Sequence, residues 1–271
     1  MGIEHKKIQL ADRLKNPTVG IIGGTGFMGT WLAGILGKKG IKVVPVGRTT
    51  TITPVQAAHD CDVVVISVPI TKTEEVIKEI APHIADDKLL MDLTSIKKRP
   101  LEAMLKYSRC EVVGVHPLFG LDISPDEEAK IAVCPARGNI GAEWLKKLFT
   151  DAGMVVATLS AEKHDQLMGL VQGANHFSTL ALALLIKKSG FTLKEIQSCS
   201  TQTFMKRLRR IIAMLGQSDE LFGALLMENN FSSGFIDQYM EMVNDLSDII
   251  KDKNGEKFRQ FFMELKDFFL V

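Results

Sequence analysis

Val19-Gly-Ile-Ile-Gly-Gly-Thr-Gly-Phe-Met-Gly29 decides the reading of this chain. It opens as an apolar run suited to a strand buried on both faces. It then turns through Gly24-x-Gly26-x-x-Gly29 into Thr30-Trp-Leu-Ala-Gly-Ile-Leu36, where apolar residues recur at helical spacing. Strand, glycine turn and helix, in that order, make a cradle for a dinucleotide. In this reading Gly24 permits the tight turn, Gly26 lets the backbone approach the pyrophosphate, and Gly29 lets helix and strand pack closely. Thr25, Phe27 and Met28 complete the loop, and the N–H groups at the helix start meet the phosphate charge.

Outward from this loop, residues 1–17 read as a polar extension ending at Pro17, with room for a short helix. The first helix stops at Gly40, and Ile41–Val46 forms the second strand. An acid on the ribose hydroxyls is expected about 20 residues past the glycines in an NAD site. Here the sequence is Gly47-Arg48-Thr49-Thr50. Arg48 can pair with a 2′-phosphate and the threonine hydroxyls can donate to it, which favours NADP over NAD. The run Asp62–Val68 is a further buried strand. Its end, Ser67, Val68 and Pro69, is expected against the nicotinamide ribose, because strand ends in open α/β sheets face the ligand crevice. Thr71-x-x-Glu74 has the pattern of a capping box opening the next helix. Strands follow at 88–93, 111–115, 129–135 and 155–159, with helices near 97–107 and 140–152.

Beyond about residue 160 the strand-like runs disappear. Helical periodicity covers roughly 161–188, 192–215, 219–250 and 255–269. The expected fold is α/β: a Rossmann-type, doubly wound, mostly parallel sheet domain at 18–160, then an all-α domain at 161–271. The helical half is rich in Met and Phe, which points to an apolar face shared between two subunits. Core filling within one chain is the alternative fate of such residues.

The totals exclude several classes. The chain has 271 residues, is 46% hydrophobic and carries a net charge of +1. No basic excess signals a nucleic-acid surface. Cys61, Cys110, Cys134 and Cys199 lack CxxC spacing, so neither a metal site nor a disulfide framework is indicated. The charged N-terminus has no signal-peptide core. The longest apolar run, Leu180–Ile186, is too short to span a bilayer. A cytoplasmic protein with no membrane partner is expected.

Two strand ends carry reactive groups: Asp92-Leu-Thr-Ser95-Ile-Lys97 and Val113-Gly-Val-His116-Pro-Leu-Phe-Gly120. His116 titrates near neutrality and suits a general base on a substrate hydroxyl. Ser95 can hydrogen-bond the same hydroxyl, orient the imidazole, or cap the next helix.

At these motifs the chain resembles the prephenate/arogenate dehydrogenases of tyrosine biosynthesis. The glycine loop, Leu93-Thr-Ser-Ile-Lys97 and Gly114-Val-His-Pro-Leu-Phe-Gly120 carry the resemblance. Glu162-Lys-His-Asp165, Gln172-Gly-Ala-Asn-His176-Phe and the stretch from Ser218 through Asn230 extend it into the helical half. The resemblance implies oxidative decarboxylation of prephenate to 4-hydroxyphenylpyruvate, or of arogenate to tyrosine, with NADP. It implies a small-molecule substrate and a homodimer built through the helical domain. It makes His116 the base, Ser95 its hydrogen-bond partner, and His176 and Gln172 substrate-side groups. The family grips a substrate carboxylate with an arginine. An ungapped match puts Ala213 there, and a shift of one helical turn makes Arg210, with Arg207 on the same face, the substitute. A fused chorismate mutase domain is not expected in the short N-terminal extension. Two alternatives stay open: another two-domain NADP-linked dehydrogenase acting on a hydroxy acid or a deazaflavin, and a non-catalytic NADP-sensing regulator.

Overall fold

The computed structural model describes residues 3–120 and 128–270. In chain order the elements of the first half are α1 (Ile3–Arg13), β1 (Thr18–Ile22), α2 (Phe27–Lys38), β2 (Lys42–Val46), α3 (Pro54–Asp60), β3 (Val63–Ile66), α4 (Ile70–Ile80), β4 (Leu89–Asp92), α5 (Lys98–Tyr107), β5 (Glu111–Pro117), β6 (Lys130–Arg137), α6 (Ile140–Asp151) and β7 (Val155–Thr158). Among the described residues they form one seven-stranded sheet in the order β2-β1-β3-β4-β5-β6-β7. Neighbours run parallel except β5 and β6.

The strand sequences explain this burial. Val19, Ile21, Val63, Val65, Val113 and Val115 point into one buried layer with Leu32, Leu36 and Phe149. Ile22, Val64, Ile66 and Val112 point into the other with Ile77, Ile80 and Met104. Alternate side chains feed opposite layers, so the strands read as unbroken apolar runs. The chain leaves β1 for the edge strand β2 and returns to β3 on the other side. The crevice at this switch point lies over the carboxyl ends of β1 and β3.

The N-terminal extension forms α1, which Arg13 ties beneath the sheet through Asp62 Oδ1 (2.7 Å) and Asp87 Oδ2 (2.8 Å). Helix α3 was not among the expected elements, although Thr53-Pro-Val-Gln56 at its start makes a complete capping box. The box expected at Thr71 does not form. Helix α4 begins at Ile70 after Pro69, and the Thr71 hydroxyl donates instead to Glu220 Oε1 at 3.3 Å.

The second half consists of α7 (Ala161–Met168), a π-helical turn at Gly169–Ala174, α8 (Asn175–Lys188), α9 (Leu193–Ser198), α10 (Gln202–Leu215), α11 (Asp219–Met227), α12 (Ser232–Lys251) and α13 (Gly255–Phe269). The segments expected as single helices at 192–215 and 219–250 are each broken. Thr201 caps a fresh start at α10, and Asn229 turns the chain between α11 and α12. The π turn packs closely against the start of α12. A Cβ on Gly169 would lie 2.9 Å from Phe231 Cβ, and one on Gly173 would lie 2.6 Å from Ser232 Oγ. Through this turn residues 161–188 become one helical stretch, long and apolar enough to cross a membrane by length and composition alone. Helices α8 and α13 bury no residue, and Leu185, Met242, Phe262 and Phe268 are exposed. These apolar residues therefore do not fill a core within the chain.

Candidate active site

The glycine loop is built as a close approach of three strands. The left-handed turn falls on Gly23, with φ +84°, and not on Gly24. A Cβ on Gly23 would lie 2.0 Å from the carbonyl oxygen of Ser67. Gly24 is needed for contact with β2, since its Cβ would lie 2.9 Å from Pro45 Cα. A Cβ on Gly29 would lie 2.5 Å from the Gly23 carbonyl oxygen, so this glycine does seat the helix on the strand. Gly26 is different. Its Cβ would meet only the Gly23 oxygen, at 3.2 Å, and its outer side is open. Gly26 is also the N-cap of α2, with Thr25, Gly26 and Phe27 exposed and Met28 half-buried beside them. An open backbone at the positive end of a helix fits a pyrophosphate.

The end of β2 lies against this loop. Gly47 leaves room for Thr25, whose Oγ1 would be 2.5 Å from a Cβ there. The Thr50 hydroxyl accepts from the Gly47 N–H at 2.9 Å and donates to the Gly47 carbonyl at 3.0 Å. It holds the turn and is not free for a ligand, unlike the expectation from sequence. Arg48 and Thr49 are exposed, and Arg48 has no carboxylate partner among the described residues. Ser67 and Val68 are half-buried and Pro69 exposed at the end of β3, with Ser67 N–H bonded to the Ile22 carbonyl.

At the end of β5, His116 is 3% exposed and lies inside the strand, paired with Ala132 of β6. The chain after it is held by Phe119, whose ring meets Trp31 of α2 edge-on at 5.2 Å. His116 Nδ1 lies 2.9 Å from His164 Nε2. His164 Nδ1 lies 2.8 Å from Asp165 Oδ1. The Asp165 carboxylate also accepts the N–H groups of Lys97 (2.8 Å) and Lys98 (2.9 Å), capping α5 from another element. Asn229 Nδ2 donates to the Asp165 carbonyl at 2.9 Å. Burial, first, then repulsion from His164 when that ring is protonated and from Lys97 hold His116 well below the ordinary histidine pKa. Burial also lowers His164, against the opposing pull of Asp165. Both rings are therefore neutral near pH 7, as a proton acceptor requires.

Beside them Lys97 is fully buried. Its Nζ donates to Asp92 Oδ2 at 2.5 Å and to the Val115 carbonyl at 2.8 Å. Thr94 donates to the same Asp92 oxygen through N–H and hydroxyl, while Asp92 Oδ1 has no hydrogen-bond partner. Ser95 is half-buried and forms no hydrogen bond to His116 among the described residues, nor does it cap α5. The partner of His116 is His164, and the capping group is Asp165. The buried thiols are held in the unreactive protonated form: burial raises Cys61 and Cys110 and pushes Cys134 up to about 12.

The helical half holds a cavity of about 390 Å³, lined by Asn175, His176, Arg207, Arg210, Ala213 and Phe222 among others. His176, Arg207 and Arg210 are thus brought together, with the Phe222 ring edge-on to His176 at 5.0 Å. Burial lowers the pKa of His176. Arg207 and Arg210 also line an adjoining cationic cleft of about 470 Å³ with Lys206 and Arg209. Gln172 lies in the π turn, half-buried, and does not line the cavity.

Comparison with known proteins places this architecture. Residues 42–136 match the family model for the prephenate dehydrogenase nucleotide-binding domain, and residues 160–264 match the prephenate dehydrogenase dimerization domain. The chain belongs to the prephenate dehydrogenase family. A probable arogenate/prephenate dehydrogenase of Methanocaldococcus jannaschii is 31% identical over 268 residues, covering 92% of this chain and 60% of that protein. The T-protein of Haemophilus influenzae is 28% identical over 249 residues, covering 92% of this chain and 66% of that one. The chain spans a little under two thirds of the length of these curated relatives. A crystal structure of prephenate dehydrogenase from A. aeolicus, in complex with hydroxyphenyl propionate and NAD+, superposes with a TM-score of 0.76 at 22% identity. It covers 92% of this chain and 96% of its own.

Proposed function

We propose that this chain oxidatively decarboxylates prephenate, or its amino analogue arogenate, with NADP as hydride acceptor. The observation that carries the reading is His116, buried at the carboxyl end of β5, on the same edge of the sheet as the carboxyl ends of β1 and β3, with its pKa lowered by burial. His116 takes the proton of the ring C4 hydroxyl as the C4 hydride leaves. Loss of the ring carboxylate as CO2 makes the ring aromatic, and the phenol oxygen regains a proton. The balance is prephenate plus NADP+ to 4-hydroxyphenylpyruvate, CO2 and NADPH. The bound nicotinamide supplies the two-electron sink. Aromatisation supplies driving force, so the chain must chiefly orient its substrate and move one proton.

Residues 24–29, Ser67, Val68 and Pro69 would hold the dinucleotide, and exposed Arg48 and Thr49 would meet the 2′-phosphate of NADP. His176, Arg210 and Arg207 would meet the substrate carboxylates, bidentate pairing suiting either arginine. Ser95, half-buried near the same strand ends, would contact the reacting hydroxyl. Gln172 would act from the π turn. We further propose a division into extension (1–17), dinucleotide domain (18–160) and helical domain (161–271), and a cytoplasmic homodimer that covers the exposed apolar faces of α8, α12 and α13. No nucleic-acid or membrane partner is proposed.

The test is formation of reduced nicotinamide with prephenate and arogenate offered separately, each with NADP and with NAD. Turnover of either acid supports the reaction. Binding of dinucleotide without turnover of either acid overturns it.

A further inference from the structure

His116 has two ring nitrogens, and only one can be the base. The hydrogen bonds around His164 decide which. Asp165 stands at the N-terminus of α5 and accepts two backbone N–H groups, from Lys97 at 2.8 Å and Lys98 at 2.9 Å. A carboxylate so placed is stabilised as the anion by those donors and by the helix dipole. An ionised carboxylate only accepts hydrogen bonds. His164 Nδ1, 2.8 Å from Asp165 Oδ1, must therefore carry its hydrogen. His164 is fully buried, so the singly protonated neutral ring is favoured. Its Nε2 is then a lone-pair acceptor. The group 2.9 Å from that lone pair is His116 Nδ1, which must in turn be the donor.

We infer that His164 is the positioning residue for His116, holding its Nδ1 hydrogen and leaving Nε2 bare for the substrate's hydroxyl proton. The reverse arrangement sets a lone pair of His164 against the Asp165 carboxylate, or requires a cationic ring in a closed site. The tie also fixes ring orientation, because the two rings meet at 69° with centroids 5.1 Å apart. When the reaction places a proton on His116, the resulting cation keeps its Nδ1–H bond to His164, with the Asp165 charge behind it. His164 does not take the proton. Charged or titratable groups facing the pair among the described residues are Lys97 on the α5 side, Asp92 of β4 and Asp165 of α7.

The final step rests on the proposed reaction; the tautomer does not. Ring nitrogen NMR of the full chain, labelled at its histidines and assigned with a His116→Gln variant, reads the tautomer without substrate. The expected spectrum at neutral pH shows His116 with a protonated Nδ1 and a bare Nε2. His164→Leu should produce mixed His116 tautomers. It should lower kcat about tenfold or more while dinucleotide affinity holds, short of the roughly 10²–10⁴ that loss of a base costs. His164→Gln, whose carbonyl oxygen can accept the Nδ1 hydrogen, should restore both readouts in large part; it also covers the case in which the leucine variant does not fold. A protonated Nε2 on neutral wild-type His116 overturns the inference. So does a folded His164→Leu protein with unchanged tautomer and kcat. Absence of turnover in the wild type, with the expected spectrum, removes the proposed reaction and leaves the positioning role standing.

Discussion

Lys97 and Asp92 form an ion pair in which neither side chain has any exposed surface. A buried pair is weak support for stability as a whole, but breaking it by removing one partner typically costs about 3–5 kcal/mol. Lys97→Met should therefore lower the denaturation midpoint sharply, because the Asp92 carboxylate is stranded with one oxygen already unpartnered. Lys97→Met combined with Asp92→Asn, which keeps an acceptor for Thr94, should recover at least half of the loss. Denaturant unfolding of the three proteins checks this; equal stability of single and double variants would show that the charge was not the cost.

His116→Ala should reduce turnover by roughly 10²–10⁴ if this residue is the general base. A loss below about tenfold would remove that role. Because burial and nearby positive charge lower its pKa, the neutral, competent form persists below the ordinary histidine value of 6.5. The acid limb of kcat/KM should accordingly lie below pH 6.5. A limb at or above that value contradicts the lowered pKa.

The same shift appears in stability. The folded-state pKa of His116, His164 and His176 is lowered, so the unfolded chain binds more protons as pH falls through 6.5. Folding stability should be full above that value and decline below it, until the folded-state pKa is reached. His116→Leu should flatten part of this decline. Chemical denaturation of both proteins above and below pH 6.5 checks the sign.

These groups differ in how far they could be seen in advance. The strand–glycine–helix order and the buried strand runs announce the sheet, because period-two burial on both faces leaves only apolar residues. His116 shows itself by standing where such a run ends. His164 and Lys97 do not, although both lie in motifs that carried the family resemblance. A lysine at the mouth of a helix reads as solvated, and Lys97 is buried because the turn folds it back onto Asp92 and onto the Val115 carbonyl of the neighbouring strand. His164 meets His116 across 48 residues of sequence, a contact no local pattern encodes. The breaks at Cys199–Ser200 and near Asn229 are marked only by short polar signals, the cap at Thr201 and the turn at Asn229, which accepts the Phe231 N–H.

Arg48→Asp should weaken NADP binding far more than NAD binding. A loss of about tenfold corresponds to about 1.4 kcal/mol, a modest share of a desolvated phosphate contact. The Thr50 hydroxyl holds the Gly47 turn, so Thr50→Val should weaken both cofactors alike by disturbing the loop. Titration of each variant with the two dinucleotides separates these outcomes. Equal effects of Arg48→Asp on both remove the 2′-phosphate assignment.

Gly26 and Gly29 differ sharply within one motif. A methyl group at Gly29 would stand 2.5 Å from the Gly23 carbonyl oxygen and 2.7 Å from Gly24 Cα. Both are backbone atoms, and relief requires the helix to lift from the strand. Gly29→Ala should thus destabilise the fold by roughly 1–3 kcal/mol, as overpacking does. A methyl group at Gly26 meets only one atom, at 3.2 Å, and otherwise points into open space. Gly26→Ala should leave the unfolding midpoint nearly unchanged while weakening dinucleotide binding, since the added carbon occupies the side from which a pyrophosphate approaches. If Gly26→Ala binds the dinucleotide as the wild type does, the phosphates do not sit on that face of the loop.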